Sequence, residues 1–541
     1  MSSWKTISRA SLALALWGSA AFAQEGIEVE RLDALDPLEV SLPRAALDNR
    51  LWSATGRDQA VAVLSRLPDP EDGEYRSETL ASVARTLLIS GGQPPAGGRG
   101  DTELARLRVE RLLAAAGAGD AFDLLERTPG VNRQPVLARW HADLGFATGE
   151  LESACRTADA LIEGRDTAYW LRVRAFCLSL QGQSAAAELT AELARSQSAD
   201  DGFDARLFAL TLDTPLPANT PAAETALQWA MDHRLEAGVG MADTAPSWLK
   251  EVAHEAEGRS QPPATDPQLA FETALDQSGR DRHHTLEAVL AQGRDRELAG
   301  QALGLLLADA GGGARFVHVA RHHGREIQTI PVTAATLEHG YEIAMAALLV
   351  GDLRSAWTWR NALLDGPPRP EQPVLVPQGL SDEDKPAGEP DIMSALPEED
   401  WVPPSPARMV ALDLALAVAE DEMQGGSYEA VQAAWLEGRG ASVLAQAAAL
   451  ERLGAPSPAG LREALLAADP MPAPAGLAAL DAAVRAGARG EAAMLAVSLL
   501  NQDGAADNPD VLARTLGALD AVGLRRHARV LLLEQIILGA M

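Results

Sequence analysis

The chain contains 541 residues, of which 47% are hydrophobic but only 4% aromatic, and its formal net charge is −30. The hydrophobic fraction excludes an intrinsically disordered chain, and the predominance of alanine and leucine over aromatic residues favours an all-α fold. The negative charge disfavours nucleic acid and anionic lipid as partners, because binding to phosphate groups requires clustered lysine and arginine.

Residues 1–23 have the features of a secretory signal peptide. Lys5 and Arg9 form a basic start, residues 10–17 are apolar but too short to span a bilayer, and residues 21–23 (Ala-Phe-Ala) resemble a cleavage site. A buried N-terminal helix is the alternative. No later stretch approaches about 20 unbroken apolar residues. We therefore expect an exported, periplasmic protein whose mature chain does not insert into the membrane.

Helical patterns begin after an irregular, acidic lead-in that we assign to residues 24–50. Residues 51–200 are predicted to form an N-terminal helical-repeat region. Within it, residues 102–118 carry apolar side chains at helical spacing, and the preceding glycine- and proline-rich segment 91–100 is predicted to be a loop.

The only two cysteines, Cys155 and Cys177, lie in the segment 149–196. We interpret this segment as a helix, a tight turn at residues 164–166 and a second helix that runs back. The midpoint between the cysteines falls in that turn, so the two sulfur atoms should face each other. In an oxidising compartment this arrangement predicts a disulfide; two buried free thiols are the alternative.

Small residues recur through the same part of the chain at a constant offset of 33 residues. The first set is Ala142, Gly149, Ala154 and Ala158, and the second is Ala175, Gly182, Ala187 and Ala191. A period of this length with helix–turn–helix content indicates stacked helical hairpins. Small residues allow helices to approach closely, and the glycines end one helix before the next begins.

At these positions the sequence resembles the tetratricopeptide repeat family in a degenerate form. Ala142 and Ala175 match the small residue of the first helix, Gly149 and Gly182 the glycine between the helices, and Ala154 and Ala187 the small residue of the second helix. The closing proline of the motif is replaced by Asp166 and Ala199, and the first-helix aromatic residue by Gly145 and Leu178. The resemblance implies an α-solenoid and implies no reaction.

Three further regions follow along the chain. Residues 201–365 are predicted to be a middle helical region, and residues 407–541 a C-terminal region of helical hairpins. Between them, residues 366–406 are rich in proline and acidic residues, so no helix of normal length can run through their first part. We interpret this segment as a linker or insertion, with a partner-binding strap as the alternative. The apolar end, residues 530–538, either caps the last hairpin or docks onto a partner.

Two sets of side chains are candidate sites. His318 and His322 are four residues apart, a spacing used by some metal sites, and His339 could supply a third ligand. The glutamate of a zinc-protease HExxH motif is absent, and a partly exposed helix explains these histidines equally well; we predict no metal or other cofactor. The candidate partner-binding aromatic residues are Trp140, Trp170, Trp357 and Trp359, for which packing between hairpins is the alternative.

The sequence contains no GxSxG elbow and no phosphate-binding loop. Soluble lytic transglycosylases are also exported and begin with an α-superhelix, but here helical-hairpin sequence continues to residue 541 without a lysozyme-like domain. We therefore predict a non-enzymatic periplasmic scaffold or adaptor that binds other envelope proteins of secretion, pilus, flagellar or cell-wall machinery. A peptidoglycan-associated enzyme or accessory factor, and a metal- or small-ligand-binding module, are the alternatives. The oligomeric state is left open.

Overall fold

The computed structural model describes residues 35–47, 49–71, 73–258, 264–367, 401–437, 440–468, 471 and 474–541. Their regular structure is helical, with isolated bridge pairs such as Arg50 with Gly92 and no strand within the described part of the chain. The predicted all-α class is thereby confirmed. The predicted signal peptide, the start of the lead-in, and residues 368–400 of the proline-rich segment lie outside the described residues.

The helices of the first half begin at Arg57, later than the start at residue 51 that the sequence pattern predicts. They are α1 (Arg57–Leu64), α2 (Glu78–Leu88), α3 (Thr102–Ala114), α4 (Ala118–Glu126), α5 (Pro135–Thr148), α6 (Leu151–Ala160), α7 (Ala168–Leu180), α8 (Ser184–Gln197), α9 (Asp201–Leu212), α10 (Ala226–Arg234) and α11 (Ser247–Gly258).

The second half continues with helices of similar length and a few single turns. They are α12 (Pro267–Leu275), α13 (Gly279–Gln292), α14 (Arg296–Ala310), α15 (Ala314–His322), α16 (Gly324–Ile327), α17 (Ala334–Leu337), α18 (Gly340–Leu349), α19 (Leu353–Asp365), α20 (Pro406–Glu420), α21 (Gly426–Leu436), α22 (Ala441–Arg452), α23 (Leu461–Ala467), α24 (Gly476–Ala486), α25 (Arg489–Leu500), α26 (Pro509–Ala521) and α27 (Arg525–Ala540).

Local chemistry explains where several of these helices begin and end. The side chains of Ser77 and Asp101 accept hydrogen bonds from backbone N–H groups in the first turns of α2 and α3. Pro135 occupies the first position of α5, where its missing N–H costs nothing. Gly149 ends α5 with a φ of +87°, a left-handed conformation that glycine adopts without strain.

The described part of the lead-in is irregular, yet it belongs to the core. Leu38, Val40, Leu42 and Leu47 are at most 5% exposed. The buried guanidinium of Arg108 fixes this segment by donating to backbone carbonyl oxygens. Its acceptors are those of Pro37 at 3.2 Å, Val40 at 2.7 Å, Leu88 at 2.7 Å and Ser90 at 2.8 Å.

Helices that follow one another along the chain pack as pairs, among them α5 with α6, α7 with α8, α12 with α13, α18 with α19, and α24 with α25. The C-terminal helix α27 packs on α20, α22 and α26, and its apolar side chains, including Leu532 and Ile536, are buried within the chain. Within the described residues, no helix is both long enough and apolar enough to cross a membrane.

The first helices also contact the last ones. Helix α1 packs on α25, and α2 packs on both α25 and α27. The backbone N–H of Arg76 donates to Oδ1 of Asn501 at 2.8 Å, and Nδ2 of Asn501 donates to the carbonyl oxygen of Glu74 at 3.1 Å. We call this packing of α1 and α2 against α25 and α27 the closing contact. It lies within one compact unit, Asp36–Met541.

Candidate functional site

Cys155 on α6 and Cys177 on α7 are joined by a disulfide, with their Cα atoms 5.7 Å apart. The predicted pairing is confirmed. Both side chains are buried, and the bond connects the helix that ends one pair (α5 with α6) to the helix that begins the next (α7 with α8). The disulfide therefore restrains the junction between two neighbouring helix pairs.

The alanines of the 33-residue repeat are buried in these helices, whereas its two glycines are exposed helix ends. The alanines, namely Ala142, Ala154, Ala158, Ala175, Ala187 and Ala191, are at most 3% exposed. The helices also approach closely at Gly145. A Cβ atom there would lie 3.0 Å from Cβ of Ala154 and 3.3 Å from the ring of Phe122, so a larger side chain would require these neighbours to shift.

A cavity of about 590 Å³ lies beside the disulfide-bonded helices, between α5, α7, α9, α10 and α11. Its aromatic lining is Trp140, Tyr169, Trp170, Phe203 and Trp248, and we call it the aromatic pocket. The rings of Trp140 and Trp248 meet edge to face with centroids 6.0 Å apart, as do those of Tyr169 and Trp170 at 5.0 Å. These contacts fix the ring orientations and give the pocket rigid walls.

A partly buried polar group lies among the aromatic rings. The hydroxyl of Tyr169 donates to Oδ1 of Asp143 at 2.7 Å, and the guanidinium of Arg139 lies 4.7 Å from the centre of the Tyr169 ring and 3.6 Å from Oδ2 of Asp143. Burial raises the pKa of Asp143 to about 6 against the opposing effects of Tyr169 and Arg139. A carboxyl group that titrates near neutrality is therefore built into the pocket.

Carboxylates outnumber cations around the aromatic pocket. Glu71, Asp200 and Glu224 line it in addition to Asp143, whereas its cationic side chains are Arg139 and Arg172. Arg172 lies 3.7 Å from Asp200, which offsets part of that charge. The pocket thus combines aromatic faces with a net negative lining.

A buried ion pair supports the wall formed by α9 and α10. Nε and Nη2 of Arg206 donate to the two carboxylate oxygens of Asp232 at 2.7 and 2.8 Å, and both side chains are at most 2% exposed. Arg206 also donates to the carbonyl oxygen of Pro221. These interactions hold α10, and with it the pocket residue Gln228, against α9.

The structure separates the four tryptophans that the sequence analysis selected. Trp140 and Trp170 line the aromatic pocket, while Trp357 and Trp359 lie on α19. Trp359 is 1% exposed and packs against Gly340 of α18, so its ring is not accessible to a partner. Trp357 is 37% exposed and donates from Nε1 to Glu420 at 2.6 Å.

Trp248, which completes the aromatic pocket, was missed by the sequence analysis. It is the second residue of α11 and belongs to no repeat or motif. Its role depends on α11 packing against α5, for which the local sequence carries no signal.

The rings of His318 and His322 stack with their centroids 6.0 Å apart, as residues on one helix face do, but His318 and His339 are not part of the cluster that could hold a metal. Nδ1 of His318 pairs with Glu78 of α2, which raises the pKa of His318. Among the described residues, the group whose ligand atoms lie within 4.8 Å of one another is Glu287, His322 and His323. His339 instead packs beside Gly304 of α14.

The lining of the aromatic pocket supplies aromatic faces, carboxylates and guanidinium groups, together with the hydroxyl groups of Thr167 and Thr225. No protein-family model, curated protein or solved structure matches the chain.

Proposed function

We propose that this protein is a non-enzymatic, exported scaffold or adaptor that binds a segment of an envelope protein in the aromatic pocket. The observation that carries the proposal is the pocket itself. Concave sites lined by rigid aromatic side chains with a few oriented polar groups are typical of specific binding sites. The identity of the envelope machinery stays open.

The proposal includes a degenerate tetratricopeptide-like solenoid as the architecture around the pocket. Its support is the pairing of successive helices, the buried alanines at the 33-residue offset, and the left-handed glycines Gly149 and Gly182 at the helix ends. In such an arrangement the disulfide holds one hairpin against the next and thereby fixes the pocket wall formed by α5 and α7.

Export to the periplasm is supported by the disulfide together with the signal-like sequence of residues 1–23. Disulfides form and persist in oxidising compartments and are rare in the cytosol. The negative net charge of −30 agrees with a protein that binds proteins rather than nucleic acid.

The lining of the pocket favours a partner segment that carries a cationic side chain. Tryptophan and tyrosine rings attract arginine and lysine through cation–π contacts. The carboxylates of Glu71 and Glu224 at the same pocket add electrostatic attraction to that preference. An acidic or strictly apolar segment would leave these carboxylates unpaired.

Site-specific photo-crosslinking tests this proposal. Val136 is 47% exposed and lines the pocket, whereas Leu466 on α23 is 87% exposed and lies on another part of the chain. A photoreactive residue at position 136 should crosslink a periplasmic protein that position 466 does not. Adding Trp140→Ala should abolish that crosslink. Equal crosslinking at both positions, or no loss with Trp140→Ala, would overturn the proposal.

A glycan is the second candidate ligand, and the observation that favours it is Asp143. Carboxyl groups with a raised pKa beside aromatic rings are also used by proteins that bind or cleave sugar chains. This corresponds to the peptidoglycan-associated alternative. Muropeptide binding measured by tryptophan fluorescence, together with a muropeptide-release assay, distinguishes the cases. Release that depends on Asp143 would replace the scaffold proposal with an enzymatic one.

A further inference from the structure

Three histidines surround a single carboxylate at the junction of α13 and α15. Helix α13 carries His283 and Glu287 one turn apart, while His322 ends α15 and His323 follows it directly. Nε2 of His323 lies 3.0 Å from Oε1 of Glu287, and Nε2 of His283 lies 3.6 Å from the same oxygen. His322 completes the group, since its ligand nitrogen is within 4.8 Å of those of Glu287 and His323.

The two separations measured from Glu287 are close to those of a tetrahedral metal site. With metal–ligand bonds of about 2.0–2.2 Å, two ligand atoms of a tetrahedral site lie about 3.3–3.6 Å apart. The distance from Glu287 to His323, 3.0 Å, is slightly below that range, and the distance from Glu287 to His283, 3.6 Å, lies at its upper end. His322 is exposed, so its ring can rotate the remaining distance without disturbing the core.

A salt bridge alone accounts for only part of this cluster. The pair of Glu287 with His323 would already satisfy one buried imidazole and one carboxylate. His283, 3.6 Å from the same carboxylate oxygen, and the exposed His322 take no part in that hydrogen bond, so each ring keeps a lone-pair nitrogen that a metal can bind. The chain contains only 10 histidines.

We infer that Glu287, His322 and His323 bind a divalent transition metal of the zinc class. His283 lies outside the group whose ligand atoms are all within 4.8 Å of one another, but its partly exposed ring is 3.6 Å from Glu287 and supplies the fourth ligand after it rotates. Imidazole nitrogens select zinc and its neighbours, whereas calcium and magnesium prefer sites composed of oxygen ligands. The ligand set differs from the pair His318 and His322 that the sequence spacing indicates. It is independent of the occupant proposed for the aromatic pocket.

The placement of the ligands indicates a site that is accessible from solvent. His323 is 5% exposed and anchors the buried side of the cluster. His322 also lines an open cavity of about 610 Å³ between α2, α11 and α15, together with His254 and His318. Because two ligands come from α13 and two from the end of α15, a bound metal would hold these two elements together.

Metal titration of the purified full-length protein, after removal of metal with a chelator, tests the inference. Co²⁺ serves as a spectroscopic probe, because its visible absorption reports tetrahedral nitrogen and oxygen ligands, and Zn²⁺ is measured in competition with it. We expect one equivalent to bind with the tetrahedral spectrum and the melting temperature to rise with Zn²⁺. Binding of less than one equivalent, or an octahedral spectrum, would overturn the inference.

Substitutions then identify the ligands. His322→Gln and His283→Gln concern partly exposed side chains and should leave the fold intact, as circular dichroism can verify. Each should weaken Co²⁺ and Zn²⁺ binding at least about 10-fold. Glu287→Gln should weaken binding to a similar or greater extent.

His318→Gln and His339→Gln are the matched controls for these variants. Both should bind metal like the unmodified chain, because neither residue belongs to the cluster. If His318→Gln abolished binding while His283→Gln retained it, the ligand assignment would be wrong.

Discussion

The aromatic pocket and the closing contact are held together by different means. The pocket is built from α5 to α11, and a disulfide, a buried ion pair and edge-to-face aromatic contacts stabilise it. The closing contact joins residues 425 and 427 positions apart through close backbone approach and the hydrogen bonds of Asn501. The neighbouring helices of the pocket are therefore linked by a covalent bond and a buried ion pair, whereas the distant helices are linked by close packing, hydrogen bonds and the exposed ion pair of Arg76 with Asp503.

The two regions also differ in the surroundings of a carboxyl group, which is partly buried in the pocket and fully buried in α27. Asp143 in the pocket has Tyr169 and Arg139 as partners. Glu534 of α27, near the closing contact, is fully buried, and its carboxyl oxygens make no hydrogen bond of normal geometry. Burial raises the pKa of Glu534 although the hydroxyls of Ser77 and Thr79 favour its charged form. The carboxyl group of the pocket thus has polar partners, whereas the carboxyl group of α27 is enclosed without a hydrogen bond of normal geometry.

The largest expected effect comes from Gly490→Ala in the closing contact. A Cβ atom at Gly490 would lie 1.9 Å from the carbonyl oxygen of Leu51, so α25 and the segment before α1 would have to separate. We expect a loss of about 5 kcal/mol in the free energy of unfolding, the upper end for a single substitution. Chemical denaturation measures it.

Gly119→Ala on α4 is the matched control, because a Cβ atom there meets nothing within 4 Å. It should change the free energy of unfolding by less than about 1 kcal/mol. If both variants were equally stable, the closing contact would not form in solution.

The next largest effect concerns the pocket wall. Asp232→Asn leaves the buried guanidinium of Arg206 without its counter-charge, which should cost about 3–5 kcal/mol. Asp481→Asn, in the half-exposed pair with Arg514, should cost less than about 1 kcal/mol. Hydrogen exchange should show the Asp232→Asn loss first in α9 and α10. An equal loss in α25 and α27 would mean that the two regions unfold as one.

The same contrast explains what the sequence could predict. The pairing of Cys155 with Cys177 follows from local geometry, because both lie in consecutive helices 22 residues apart. The buried positions of Ala142 and Ala175 follow from the 33-residue offset in the same way. Features set by the spacing of neighbouring helices can be deduced from the chain itself.

Features set by the packing of distant helices could not be deduced. Trp248 completes the pocket only because α11 lies on α5, and Gly490 meets Leu51 only after the intervening helices have packed. The histidine spacing on α15 indicated His318 as the metal-ligand partner of His322. The carboxylate near His322 is instead Glu287, which belongs to α13. Periodicity identifies which residues share one helix face but not which other helix will cover it.

A smaller effect is expected from removing the disulfide. Replacing both cysteines by serine avoids a free thiol and should cost about 3 kcal/mol through the entropy of the unfolded chain. Hydrogen exchange should accelerate in α6 and α7, while α25 and α27 stay protected. The helices α1 and α2 should also stay protected, because they pack on the C-terminal helices rather than on the disulfide-bonded pair. Uniform loss of protection would contradict this division.

The smallest effect is a pH dependence that Asp143 adds to the stability of the pocket region. Its pKa is raised by burial to about 6 in the folded chain, above the value of about 3.9 in an unfolded one. At pH values between these two pKa values, the carboxyl group of Asp143 keeps its proton in the folded chain but loses it in the unfolded chain. The contribution of Asp143 to stability is therefore greatest below about pH 4 and is lost as the pH rises through about 6.

Asp143→Asn removes this titration while it keeps an oxygen that can accept from Tyr169. Between pH 4 and 6 the unmodified protein should lose on the order of 1 kcal/mol relative to the variant, as measured by denaturation at each pH. Parallel curves for the two proteins would show that Asp143 ionises as it does in water. The carboxylate of Asp143 would then be charged at neutral pH and would add to the negative lining that Glu71 and Glu224 supply.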